Sequence, residues 1–363
     1  MNLADHLISK QNDAIHNKAC IGFHGFIDSI TKLVKQRNHA GYPPEYFTQK
    51  QDWANYILSK KTGSFSIELE QQSIKTGGNA PNMASALAKL GIAADCVGAF
   101  GYPAIDPLFN TMPQLCSLYS FAAPGVCQAI EFEDGKIMLA TTSHLNKSDW
   151  ATIIKRISID VLIKIFTEAR LIGMLNWGEL INSTDYWKGL LHDVLPFCTT
   201  GKEKLFIVDL SDCSSRSKDE MLSALELLQA FSAYGKIILS LNHNECIAVY
   251  NILFEPMPNN SDIKSLGEKI FTRLQPGILL LHNRTKAIAF SKHEAAEKNS
   301  PLIEAPKLLT GAGDNFNAGF CFGQLMDCGL EDSLLLAHLV AAYYIKNGES
   351  INRNTLIEEL KTV

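Results

Sequence analysis

The chain has 363 residues, 46% hydrophobic and 20% charged, with 33 Lys and Arg against 38 Asp and Glu for a net charge of -5. That length suits one large domain with additions, or two domains. The mild acidity, with basic residues gathered no further than pairs such as Lys60-Lys61, argues against nucleic acid or a membrane surface as partner.

The nine cysteines form no C-x-x-C pair and mostly sit in apolar runs, the N-terminus has no apolar signal core, and no run reaches membrane-spanning length. The expectation is a cytoplasmic protein with free thiols. In chain order, the first strand is expected in "ACIGFHGF" from Ala19, with Asp28 beyond its carboxyl end. Residues 29–75 alternate polar and apolar at both ends around a polar middle containing "GYPPEYF". "GGNAPNMASALAKLG", Gly77 to Gly91, reads as a tight turn into a helix kept slim by Ala84, Ala86 and Ala88. A strand follows in "IAADCVGAF" from Ile92, and residues 126–142 read as a hairpin around Asp134-Gly135. Next come a helix over 150–169, strands "LIGML" from Leu171 and "KLFIVDL" from Lys204, and a helix over 217–233. Strand "KIILSL" from Lys236, a helix over 243–254, strand "GILLLH" from Gly277 and helices over 312–346 and 354–361 complete the chain.

These strands are near-continuous apolar runs, as parallel strands covered on both faces require, and their alternation with helices predicts an α/β fold with a doubly wound, mostly parallel sheet. The hairpin-like regions have no place in such a core. The expected organisation is a core of 1–28, 76–125 and 143–363, with 29–75 and 126–142 as a small antiparallel β lid over the strand ends.

Four segments carry chemistry. In "LLTGAGDNFNAGF", Leu308 to Phe320, the small residues Gly311, Ala312 and Gly313 let the backbone approach a ligand, and free amides at a helix start attract an anion. Asp314 beside them is either a cap or a base that takes a proton from a hydroxyl while the amides hold a phosphoryl group. Asp28 is a turn residue or a carboxylate holding two hydroxyls of a polyol. Asn79 and Asn82 stand where side-chain amides suit sugar hydroxyls. Asn242 and Glu245, in "LNHNECIAVY", form a helix cap or order water around Mg²⁺. P-loop and dinucleotide signatures are absent, and "HEAAE" at His293 has Glu297 where a zinc helix needs its second histidine, so a solvated loop is expected there.

Together, "GGNAPNMASALAKLG" with Gly101 ten residues on, "NHNE" and "TGAGDNFNAGF" resemble, in order and spacing, the ribokinase-like (phosphofructokinase B-type) carbohydrate kinases, from about Ile21 to the C-terminus. The resemblance implies ATP-dependent phosphorylation of a sugar hydroxymethyl group. It makes Asp314 the base and Gly311, Ala312 and Gly313 the anion hole. Asn242 and Glu245 would arrange Mg²⁺ and phosphate, with Glu245 reaching the metal through water, and Asp28, Gly78, Asn79 and Asn82 would contact the sugar. Asn283 and His338 fall beside the nucleotide.

Two departures stand out. Leu308 and Leu309 replace an Asp-Thr pair that helps hold a monovalent cation, so weak or no K⁺ activation is expected. "LLLHNRTKAIAF" replaces a Thr and two glycines, where Asn283 can take a left-handed conformation as Gly would, and Arg284 reads as a surface arginine. The segment from about Val34 to Gly63 is longer than usual and would enlarge the lid, reshape the sugar pocket or build a dimer contact. A homodimer through the lid is a further expectation. A phosphorylated sugar would call for basic residues near Asp28 and Asn82, where Lys75 alone is obvious in the sequence, so an unphosphorylated sugar or sugar acid is preferred as substrate. The alternatives are a nucleoside kinase and a catalytically idle sugar-binding regulator.

Overall fold

The computed structural model describes residues 2–60, 63–198, 203–254, 262–304 and 306–362. Strand β1 (Lys18–Gly22) opens the main sheet. Strand β2 (Phe26–Gln36) leaves it for a smaller sheet that also takes β3 (Glu45–Tyr46), β4 (Leu69–Gly77), β7 (Gly125–Phe132) and β8 (Gly135–Thr141). The main sheet collects β5 (Ala93–Gly98), β6 (Cys116–Ser120), β9 (Leu171–Leu175), β10 (Lys204–Asp209), β11 (Gly235–Asn242), β12 (Ile278–His282), β13 (Lys286–Ser291) and β14 (Ala295–Asn299). Its order is β14-β13-β12-β11-β10-β9-β1-β5-β6, and every neighbouring pair is parallel except β12–β13 and β13–β14.

Side chains alternate across a strand, so a strand covered on both faces is apolar throughout. Cys20 and Ile21 of β1 accordingly enter two different cores on opposite faces. The second core holds the helices Asn79–Lys89, Ala312–Leu325 and Leu330–Asn347. They approach closely because their contact residues are small. Ala84 and Ala86 are fully buried, and a Cβ on Gly319 would stand 2.8 Å from the Ala337 Cα. Phe320 is fully buried between them, and its truncation to Ala would cost about 3–5 kcal/mol.

Several expectations need correction. Asp28 lies within β2, in register with Lys75 of β4 and Cys127 of β7, rather than on a turn after β1. "HEAAE" is no loop: Ala295 starts β14, and Glu297 pairs with Lys264 and Lys286. The helix over 150–169 is two, Trp150–Arg156 and Ile159–Glu168, parted at Ser158, which takes φ +40° and caps the second through Val161 N.

In the smaller sheet, β2 pairs antiparallel with β4 and parallel with β7. The row Lys75, Asp28, Cys127, Ala140 points one way. On the other face, the helix Lys50–Ser59 packs Trp53 and Tyr56 against Leu33, Phe47 and Ile130. The long segment therefore enlarges the smaller sheet, while Lys61 and Thr62 lie outside the described residues. All nine cysteines are free, and no helix among the described residues is long and apolar enough to cross a membrane.

Candidate active site

Parallel strands end together, and the carboxyl edge of β10, β11 and β12 carries Asp209, Asn242 and His282, with Asn242 in register with His282. Two cavities meet there. The larger, about 780 Å³, is lined by Asn283, Arg284, Ala312, Phe316, His338 and Ile345 among others. The smaller, about 440 Å³, is closed by the second sheet and lined by Asp28, Gly78, Asn79, Asn82, Lys136 and Asp314 among others. Asn242, His282 and Gly313 line both. Both volumes fall in the range of small-molecule sites.

Gly311 caps the helix Ala312–Leu325 at φ +93°, and a Cβ there would meet the Tyr344 hydroxyl at 2.8 Å and Asn82 Nδ2 at 3.1 Å. Glycine is thus required on two counts. Asp314 makes no capping bond, which sets aside the reading of it as a cap. The Ala312 amide donates to Leu309 O at 3.2 Å, whereas the amides of Gly313 and Asp314 find no acceptor among the described residues. Tyr344 Oη donates to Thr310 O at 2.7 Å and holds the loop from behind.

Asp314 Oδ2 accepts a hydrogen bond from Asn82 Nδ2 at 2.8 Å. Burial, then the charge of Asp209, push the Asp314 carboxyl up to about 7, although the Asn82 hydrogen bond and Lys136 pull it down. Such a value suits a group that accepts a proton near neutrality. Asp28 is also raised, by burial, against the pull of Lys75 and Lys136. Asn79 Nδ2 donates to Ser211 Oγ at 2.9 Å. Gly78, at φ +88°, lies so close to His24 that a Cβ would stand 2.9 Å from the imidazole.

Asn242 and Glu245 do form a capping box. Asn242 Oδ1 accepts from the amides of Asn244 and Glu245 at 2.9 and 3.0 Å, and Glu245 Oε2 accepts from the Asn242 amide at 2.9 Å. The pair nevertheless lines the smaller cavity. Burial, then the charge of Asp209, hold the Glu245 carboxyl well above its usual range. Crowded carboxylates of this kind fit a cation nearby. No group of three His, Cys, Asp or Glu among the described residues is placed to cage a metal directly, so Mg²⁺ would keep its waters, as it commonly does.

His338 Nε2 donates to Lys298 O at 3.2 Å and its ring meets Phe316 edge-on, 5.4 Å between centroids. Asn283 takes no left-handed conformation. Its Oδ1 instead accepts from the Thr285 and Lys286 amides and closes the turn. Arg284 is exposed on the rim of the larger cavity.

Sequence reasoning missed Asp209, Lys136 and His282. Asp209 accepts from Asn317 Nδ2 at 2.8 Å and from the Ser211 amide at 2.9 Å. A carboxylate ending an apolar parallel strand was its available signal. Lys136, on β8, crosses to donate to Thr310 Oγ1 at 2.5 Å. Nothing local in the sequence announces that contact.

A sequence model of the prokaryotic ketohexokinase family matches residues 11–361. A ketohexokinase of Haloferax volcanii is 26% identical over 333 residues, covering 91% of this chain and 87% of that protein. Among solved structures, adenosine kinase from Sinorhizobium meliloti aligns at TM-score 0.66 and 17% identity over 96% of this chain and 99% of its own. Arabidopsis thaliana ribokinase, complexed with ribose and ATP, aligns at TM-score 0.62 and 16% identity over 95% and 98%. At such identity the structural likeness bears on the fold, and it agrees with the doubly wound sheet and small second sheet described above. The chain belongs to the prokaryotic ketohexokinase family and is a carbohydrate kinase of ribokinase-like fold.

Proposed function

We propose that this kinase transfers the γ-phosphoryl group of ATP to a hydroxymethyl group of a ketohexose. The observation that carries the reading is Asp314, a carboxyl held near neutral pKa on the wall of the smaller cavity, beside the unpaired amides of Gly313 and of its own residue. The ketohexose occupies that cavity, where Asp28 accepts sugar hydroxyls and Asn79 and Asn82 orient others. ATP occupies the larger one, with its base toward Phe316 and His338. Asn283 closes the turn beside it.

Asp314 takes the proton of the attacking hydroxyl. The sugar oxygen bonds to the γ-phosphorus as the bridging bond breaks and ADP leaves with the electron pair. Gly311, Ala312 and Gly313 leave room for the phosphoryl group, and free amides at the helix start hold its charge. Bound Mg²⁺ supplies charge neutralisation at the nucleotide phosphates, and Glu245 would hold it through water while Asn242 fixes Glu245. An uncharged sugar suits the smaller cavity better than a sugar acid or a sugar phosphate, because Asp28, Glu179, Asp209, Asp212, Glu245 and Asp314 line it, with Lys136 the one cation on its lining among the described residues.

The test is ADP release with MgATP across ketohexoses, aldohexoses, pentoses, sugar acids and nucleosides. Turnover with a ketohexose far above the others supports the assignment. A nucleoside or sugar acid turned over faster overturns the substrate. Sugar binding without ADP release from any acceptor overturns the transfer reaction.

A further inference from the structure

Three of the described residues line both cavities, Asn242, Gly313 and His282. The first two already belong to the proposed phosphate machinery, and the third has had no role. His282 ends β12, and its ring lies tilted against Phe316 at 4.9 Å between centroids and 35° between planes. It also lies over the helix start, for a Cβ on Gly313 would sit 3.8 Å from its Cε1. Its ring nitrogens take no hydrogen-bond partner among the described residues, and the side chain is half-buried. Packing alone would be served by any flat ring here. An imidazole adds N–H donation, and its ring nitrogens are not sealed in the protein but lie on the lining of both cavities, where a ligand can reach them.

We propose that His282 donates a hydrogen bond to an oxygen of the phosphoryl group as that group passes from nucleotide to sugar, beside the amides of the helix start. The inference rests on the phosphoryl-transfer reading above. Burial, then the charge of His338, hold His282 down at about 4, so at working pH the ring is neutral and keeps one N–H. It exchanges no proton in the reaction. The hydroxyl proton still goes to Asp314, and His282 only meets charge that develops on the phosphoryl oxygens. Removing one such donor typically lowers kcat by about 10²-fold.

Two substitutions separate donation from packing. His282→Phe keeps a ring against Phe316 and removes the donor, whereas His282→Gln restores an N–H without the ring. Steady-state kinetics would be run with the best acceptor of the panel, with MgADP affinity measured by calorimetry on each variant. The expected result is a kcat about 10²-fold lower in His282→Phe, KM for both substrates and MgADP affinity within about threefold of wild type, and at least tenfold recovery in His282→Gln. Wild-type kcat in His282→Phe overturns the proposal, as does a loss confined to KM for ATP and MgADP affinity. Should His282→Phe melt early, a stably folded His282→Gln with kcat no better than His282→Ala overturns it equally. If the best acceptor is not a ketohexose, the substrate assignment fails and the His282 comparison stands with that acceptor. If wild type releases ADP with none, both readings fall.

Discussion

Asn82 Nδ2 donates to Asp314 Oδ2 at 2.8 Å, joining the helix that follows β4 to the helix that starts at Ala312. A hydrogen bond to the charged form lowers a carboxyl pKa, and here it opposes burial and Asp209. Asn82→Ala should therefore move the acid limb of kcat/KM upward from about pH 7, as well as raise KM for the sugar. A pH profile of the two proteins checks it, and an unmoved limb would separate Asn82 from the base.

Replacing the proposed base should remove chemistry and leave the fold. Asp314→Asn should lose about 10²–10⁴ in kcat while MgATP binding persists. Wild-type turnover in a clean preparation would exclude Asp314 as base.

The same substitution has a stability signature of definite sign. The native carboxyl titrates above its unfolded value, so its contribution is fully present below about pH 4 and is lost as pH rises through about 7. Asn does not ionise and escapes that loss. At pH 8, Asp314→Asn should melt several degrees higher than wild type, from at most about 4 kcal/mol, and the gap should narrow toward pH 4. A gap that widens on acidification would contradict the raised pKa.

Lys136 reaches from β8 to Thr310 and sits near Asp28 and Asp314. Lys136→Met should raise KM for the sugar about tenfold with little change in KM for ATP, since charged hydrogen bonds contribute about 1.5–3 kcal/mol. Equal loss in both constants would argue for a general disturbance.

Leu308 and Leu309 offer no side-chain oxygen to a monovalent cation. The rate in K⁺ should stay within about twofold of that in tetramethylammonium at equal ionic strength. On the outer side of the smaller sheet, Ile74, Ser29, Gln128 and Leu139 stand in one register row, and Ile74 and Leu139 are exposed. A second copy pairing there would double the 40.1 kDa mass, and Leu139→Lys should abolish the doubling. A single chain mass by light scattering at micromolar wild type would overturn the pairing.

The parallel strands were legible because covering both faces forces apolar residues at every position, and the glycine turns before Asn79 and Ala312 were legible because positive φ demands them. The hairpin β13–β14 was not, because its second strand is an edge whose residues alternate between solvent and sheet, with Glu297 among them. No Gly or Pro marks the break at Ser158, where a side-chain cap does the work instead. Of the site, residues on helix starts could be read, whereas Lys136 meets a partner 174 positions away. His282 looked like the end of an apolar run until β12 was set beside β11.

The helix Lys50–Ser59 gives the smaller sheet an apolar cluster of its own, Leu33, Phe47 and Ile130 with Trp53 and Tyr56. No residue of 34–60 lines either cavity. A plate with its own packing can move without losing that packing, but moving it would break Lys136 with Thr310 and disturb Phe26 and Cys127, which pack into the main core. Residues far from the chemistry would then set how fast product leaves.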